Sequence, residues 1–211
     1  MYRLISATPS PYARKVRIQL AEKGIPFKLI TEVPWNSDTT TPQHNPLEKL
    51  PVLILEDGGS VYESRYINEW IEAKHPAPPL VPESVDDRLA VKRFEILGDG
   101  ICDALVLMFF EKGRTPEMRS PEWYDRQSRK VDGGLHEVAR LVGDGEFTWG
   151  GRFTQADISI GAVLKYLDVR WPDFPWRARH PSLSGLSDRL EARPSFAATV
   201  PVAQVIHDRV A

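Results

Sequence analysis

A small mixed α/β unit followed by a larger all-helical one is what the sequence predicts. Three observations carry that expectation. Strand-like and helix-like periodicities alternate through the first 75 residues, no convincing strand pattern occurs after about residue 85, and four prolines crowd into residues 75–82. Prolines at that density end a helix and favour an extended path. The expected boundaries are therefore 1–75 for the first unit, 76–84 for the connection and 85–211 for the helical unit. A unit of about 75 residues is near the lower limit for an independent core, so its sheet is expected to depend on burial against the helical part.

Within the first unit, Arg3 to Ser6 reads as a strand and Pro9-Ser10-Pro11 as a turn. Ala13, Val16 and Leu20 then recur at helical spacing, with Gly24 where a helix would stop. Phe27 to Thr31 reads as a second strand, and residues 34–46 are polar and broken by prolines. The apolar run Leu50 to Leu55, the Asp57-Gly58-Gly59-Ser60 turn and Val61-Tyr62 together predict a β-hairpin over 52–62. Tyr66, Ile67, Trp70 and Ile71 form one stripe of a helix from Ser64 to His75. The order βαβ-ββα suggests a mixed sheet covered by helices.

Beyond the connection, Phe94, Leu97, Ile101, Leu105 and Met108 step by three or four, which predicts one long helix over 84–111. Val131, Leu135, Val138 and Val142 predict a second, starting near Pro121. Thr154 and Asp157 resemble a capping box, and the nearly all-apolar ISIGAVLKYL that follows predicts a central, buried helix. Gly161 inside it suggests a close approach of another element. A weaker helix covers Ser182 to Ala192, and the tail after Pro194 has no assignable pattern.

Composition narrows the function classes. With 42% hydrophobic and 27% charged residues, this is an ordinary soluble globular composition. No run approaches the roughly 18–20 apolar residues of a spanning helix. The N-terminal MYRLISATPSPYARK lacks the order of a secretory signal, so a cytoplasmic location and no membrane association are expected. A net charge of −2 argues against an electrostatic nucleic-acid binder. The single cysteine, Cys102, allows neither a disulfide framework nor a thiolate metal cluster.

Four features of the first unit bear on chemistry, and each has two readings. Ser10, between a strand and a helix, is either a helix N-cap or a hydroxyl beside free amides that favour an anion such as a thiolate. Pro51 at a strand start is either a trans residue of an edge strand or a cis proline that turns the backbone of Leu50 toward a ligand. Glu63-Ser64 is either a capping pair or a site for a ligand's ammonium and carboxylate. Lys49 is either a solvated lysine or a partner for a carboxylate.

The order of these segments is more specific than any one of them. Ser-Pro-Tyr-x-x-Lys-Val-Arg-Ile-x-Leu-Ala-Glu-Lys-Gly, then Asn-Pro-Leu-x-Lys-Leu-Pro-Val-Leu, then Tyr-Glu-Ser-x-x-Ile, closely resembles the cytosolic glutathione S-transferases. The likeness continues through the proline-rich connection, Gly98-Asp99-Gly100 and Phe-Thr-Gln-Ala-Asp-Ile. The resemblance implies a thioredoxin-like N-terminal domain, an all-helical C-terminal domain and a homodimer. It implies glutathione as co-substrate and no metal.

By the same resemblance, Ser10 hydrogen-bonds the glutathione sulfur, whose thiolate attacks a small hydrophobic electrophile. Leu50 before cis-Pro51 meets the cysteinyl backbone, Lys49 the glycyl end, and Glu63 and Ser64 the γ-glutamyl group. Asp99 matches an acid that in some classes reaches the γ-glutamyl amine across the dimer. Ile5-Ser6-Ala7 stands where tyrosine-type classes carry their tyrosine, and no cysteine lies near Ser10. A serine-type, bacterial-like member is therefore expected, with Cys102 a core thiol. Tyr12, Leu105, Met108 and Phe109 are candidate linings of the second-substrate pocket, though at helical spacing they also read as core. The aromatic segment Trp171 to Trp176 borders a pocket or covers the core. A non-enzymatic binding or regulatory protein of the same fold, and a glutathione-dependent isomerase or dehalogenase, are the alternatives.

Overall fold

The computed structural model describes residues 1–208. The mixed sheet and the large helical region are both present. Strand β1 (Tyr2–Ser6) leads through helix α1 (Pro11–Glu22) to β2 (Phe27–Thr31). The hairpin strands β3 (Val52–Ile54) and β4 (Ser60–Tyr62) follow, then α2 (Ser64–Lys74). The sheet order is β2-β1-β3-β4, with β1 parallel to β2 and the other two pairings antiparallel. Gly58 turns the hairpin at a φ of +89°, a conformation open to a residue without Cβ. Both faces of the central strands are buried. Leu4 and Leu53 point toward α1 and α2, while Ile5, Val52 and Ile54 form a small cluster on the other face.

The loop between β2 and β3 is ordered by one acid. Glu32 accepts hydrogen bonds from the Thr39, Thr40 and Thr41 hydroxyls and from the Thr40 amide. Burial raises its carboxyl pKa, but these donors outweigh it and leave the group below the usual carboxylate range.

Residues 75–84 carry no regular structure and lead to the long helix α3 (Val85–Gly113). Then come α4 (Pro121–Val142), α5 (Gln155–Arg170), the single turn α6 (Trp176–Arg179), α7 (Pro181–Glu191) and the short α8 (Pro194–Ala197). Helix α5 starts on a full capping box. The Thr154 amide donates to Asp157 and the Ala156 amide donates to the Thr154 hydroxyl, 2.7 and 3.3 Å apart respectively. Its glycine allows a close approach, because a Cβ on Gly161 would lie 2.4 Å from Cε1 of Phe196. Trp171 and Trp176 cover the helical core, and neither lines the cavity described below.

Helix α1 joins the two regions. Its Val16 and Leu20 pack on the sheet, whereas Ile18 belongs to the core of the helical region. Gln155 donates to Gln19, which donates to the carbonyl of Asn68 on α2. The tail without a sequence pattern opens on α8, and beyond Thr199 it has no regular structure and runs back over the N-terminal half. The Thr8 hydroxyl donates to the carbonyl of Val202 at 2.7 Å, the Thr8 amide to the side chain of Gln204, and the His207 amide to Asn36.

Candidate active site

A cavity of about 560 Å³ opens between the β1–α1 turn, the loop before β3, the start of α2 and the facing sides of α3 and α5. Ser10 lies on its wall as the N-cap of α1, and its hydroxyl accepts from the Ala13 amide at 3.2 Å. Pro11 at the first helical position has no amide to leave unpaired and supplies the helical φ. The amides of this helix start give the Ser10 turn a partial positive charge.

The opposite wall is built by Asn45 and the Leu50–Pro51 peptide. The Asn45 amide group donates to the Lys49 carbonyl at 2.7 Å and its oxygen accepts from the Leu47 amide, which holds Lys49 and Leu50 at the rim. The Leu50–Pro51 bond is cis. Lys49 is exposed, and its ammonium pairs with no carboxylate among the described residues.

At the third wall, Glu63 adopts a φ of +74°, rare for a residue other than glycine. Its carboxylate caps α2, accepting from the Arg65 and Tyr66 amides. Ser64 is buried beside it and lines the cavity. Asp99 approaches from α3, where its carboxylate is held by Lys15 at 2.5 Å and flanked by Arg65 at 3.3 Å. The oxygen beside Arg65 is in an ion pair with it but accepts no hydrogen bond. Burial raises the carboxyl pKa of Asp99, and the nearby Lys15 and Arg65 cations oppose that rise. These contacts are made within one chain. Ser10, Lys49, Leu50, Pro51, Glu63, Ser64 and Asp99 are thus brought around one cavity.

The second-substrate candidates divide. Tyr12 and Phe109 line the cavity. The Tyr12 hydroxyl donates to Asp103, and burial together with the nearby Cys102 and Asp103 raises its phenol pKa far above the ordinary value. Tyr12 is therefore held as a neutral phenol. Leu105 and Met108 do not line the cavity and are corrected to core residues. They lie on the side of α3 that meets the other helices, at 0% and 2% exposure, in one cluster with Val131 and Ile158. The cavity side of α3 instead carries Asp99, Asp103, Val106, Leu107 and Phe110. Trp35, Tyr166, Arg170, Gln204 and Ile206 also reach the cavity, and sequence reasoning had missed them. Cys102 is buried, which pushes its thiol pKa well up.

Residues 9–74 match the glutathione S-transferase N-terminal domain and residues 121–189 the glutathione S-transferase C-terminal domain. A curated relative, the uncharacterized GST-like protein YibF of Escherichia coli, is 35% identical over 199 residues, covering 94% of this chain and 98% of its own. The chain belongs to the glutathione S-transferase family.

Solved glutathione S-transferases bear this out. The enzyme of Methylobacterium radiotolerans, in complex with glutathione sulfonate, superposes with a TM-score of 0.98 at 66% identity over 100% of this chain and 99% of its own. That of Methylobacillus flagellatus, with glutathione bound, gives 0.92 at 35% identity over 96% and 100%. Among the described residues of this glutathione S-transferase family member, no group of three or more metal-ligand side chains occurs. No helix among the described residues is long and apolar enough to cross a membrane.

Proposed function

We propose that this chain is a cytoplasmic, homodimeric glutathione transferase that activates the glutathione thiolate through Ser10. One observation carries the reading: the Ser10 hydroxyl sits at the N-terminus of α1, on the wall of a cavity whose other walls present the Leu50–Pro51 backbone and the Glu63-Ser64 helix start. A free thiol titrates near 8.5. A donor and a positive helix end stabilise the thiolate and lower that value. The thiol proton passes to solvent. The sulfur forms a bond to an electrophilic carbon, and the leaving group departs with its electron pair. The chain contributes activation and positioning.

In this reading residues 1–75 bind glutathione and residues 85–211 supply most of the second-substrate side. Lys49 takes the glycyl carboxylate and Ser64 the γ-glutamyl carboxylate. Glu63 and the Asp99 oxygen beside Arg65 receive the γ-glutamyl ammonium. The dimer is supported by exposed apolar side chains at Val85, Leu89 and Ile96 on α3 and Tyr66 on α2. A reducing compartment suits the chemistry, because the substrate must arrive as a thiol.

The test is Ser10→Ala, assayed with a chlorodinitrobenzene and titrated with glutathione. Turnover is expected to fall by about 10²–10³-fold, as for loss of one preorganised donor to a developing anion, with glutathione affinity much less affected. Unchanged turnover would remove Ser10 from the mechanism. A calorimetric titration without any glutathione binding would favour the non-enzymatic alternative.

A further inference from the structure

The cavity is chemically divided along α3. Its inner end holds Ser64, Asp99 and Asp103, while its outer end is enclosed by Trp35, Phe109 and Phe110. Trp35 meets Phe110 edge-on at a centroid separation of 4.5 Å, and Phe110 meets Phe109 at 5.3 Å. Phe109 and Phe110 follow Asp103 by six and seven residues, which places them roughly 9–10 Å further along the helix axis.

One cation stands in this apolar end. Arg170, the last residue of α5, lies over the Phe109 ring with Cζ 4.8 Å from its centroid. Four arginines of the helical region and α1 have carboxylate partners, Arg14 with Glu191, Arg177 with Asp168, Arg179 with Asp132 and Arg193 with Glu22, whereas Arg17 of α1 is buried without one but does not line the cavity. Arg170 makes no ion pair with any described residue; the Tyr166 hydroxyl is its polar neighbour, and its Nε is buried without an acceptor. The acids that could have served it are engaged elsewhere. Asp103 accepts from Tyr12, and Asp168 from Arg177 and Trp176.

A helix C-terminus and an aromatic face both favour a cation, so they account for where the guanidinium lies. Neither supplies an acceptor for its Nε. A guanidinium stays charged at all relevant pH and presents a planar fork suited to two carboxylate oxygens.

We propose that the second substrate is an aromatic or otherwise unsaturated electrophile bearing a carboxylate, which Arg170 binds while Trp35, Phe109 and Phe110 enclose its apolar body. This rests on the glutathione transferase reading above and names the substrate class of that same site.

The experiment titrates the full chain calorimetrically with glutathione and with two glutathione S-conjugates, one of a dinitrobenzoate and one of its methyl ester. The conjugates are stable products, so binding is read without turnover. The acid conjugate is expected to bind about tenfold more tightly than the ester, as for one charge-assisted, two-point contact. Arg170→Gln is expected to bring the ratio near one, and Arg170→Lys to retain part of it. Melting curves of both variants report whether each is folded. An acid-to-ester ratio of one or less in the unaltered chain overturns the proposal, as does a ratio that Arg170→Gln does not change. Absence of glutathione binding sinks the transferase reading itself. Binding of glutathione without an acid preference sinks only the role of Arg170.

Discussion

Arg193 grips Glu22 at two points. Its Nε lies 3.0 Å from one carboxylate oxygen and a terminal nitrogen 2.7 Å from the other, while the Ser195 hydroxyl donates to Glu22 at 2.5 Å. The contact fastens the end of α1 to the start of α8, and the same guanidinium stacks on Phe153 at 4.0 Å.

The Glu22 contact predicts an acid-labile joint. Burial raises the Glu22 pKa, but the bonds from Arg193 and Ser195 outweigh it and lower the value below its usual 4.5. A folded pKa below the unfolded one means the native state binds fewer protons in that range. Its stabilisation is therefore complete above about pH 5 and is lost as pH falls through the folded pKa. Urea unfolding from neutral pH down to about pH 3 is expected to show this loss. In Glu22→Gln the acid-side slope is expected to flatten, together with lower stability at neutral pH. An unchanged slope would assign the acid sensitivity to other groups.

Gly161 predicts a packing defect of definite sign. Alanine is the better helix former by about 1 kcal/mol. Here its methyl would meet Phe196 at 2.4 Å and Leu190 at 3.0 Å, and both are buried. Overpacking of this kind costs about 1–3 kcal/mol. Gly161→Ala is expected to lower the melting temperature, and Phe196→Leu in the same chain to recover part of the loss. A melting temperature that rises would show that Phe196 yields without strain.

Ser10 predicts two separable losses. Its hydroxyl caps α1, and removing such a cap to alanine costs about 1 kcal/mol, whereas glycine costs only a few tenths. Ser10→Gly is therefore expected to melt above Ser10→Ala, while both lose turnover alike. The pH–rate profile of either variant is expected to shift toward the free thiol value of about 8.5. Equal turnover in Ser10→Gly and the unaltered chain would reduce Ser10 to a cap.

The tail predicts an effect on one substrate only. Gln204 and Ile206 line the cavity, with Gln204 anchored by the Thr8 amide at 3.1 Å. A chain ending at Val200 loses both side chains from the wall but keeps α8. KM for a hydrophobic electrophile is expected to rise by about tenfold, the worth of one buried aliphatic side chain. Glutathione affinity, read by calorimetry, is expected to hold within a few-fold. Equal weakening of both ligands would make the tail a general brace.

Much of this structure is legible from local chemistry. The Asp57-Gly58 turn, the alternating strands and the Thr154–Asp157 cap announce themselves through short-range rules that operate the same way in any fold. Helix α3 marks the limit of periodicity. It carries apolar residues on two sides, one facing α4 and α5 and the other the cavity. Spacing alone cannot distinguish Leu105 and Met108 from Val106 and Phe110 until those neighbours are placed. Arg170 at a helix end looks like any solvated cation, because its lack of a carboxylate partner is a property of the surrounding folds of chain. The tail shows no pattern because its hold comes from single polar contacts with Thr8, Asn36 and Ser37. Ser10 is a special case. Capping and anion binding use the same amides, so the features that reveal one reveal the other.

Ile18 of α1 finds its neighbours in the helical core, and Gln19 finds Gln155. Gln155 lies 133 positions after Glu22, the last residue of α1. At 5–20 residues per second, a ribosome needs roughly 7–27 s to bridge that interval. Throughout it the apolar outer side of α1 has no cover of its own, a window in which a nascent-chain chaperone or a neighbouring polysome competes for the same surface. A premature stop before Gln155 makes that window permanent.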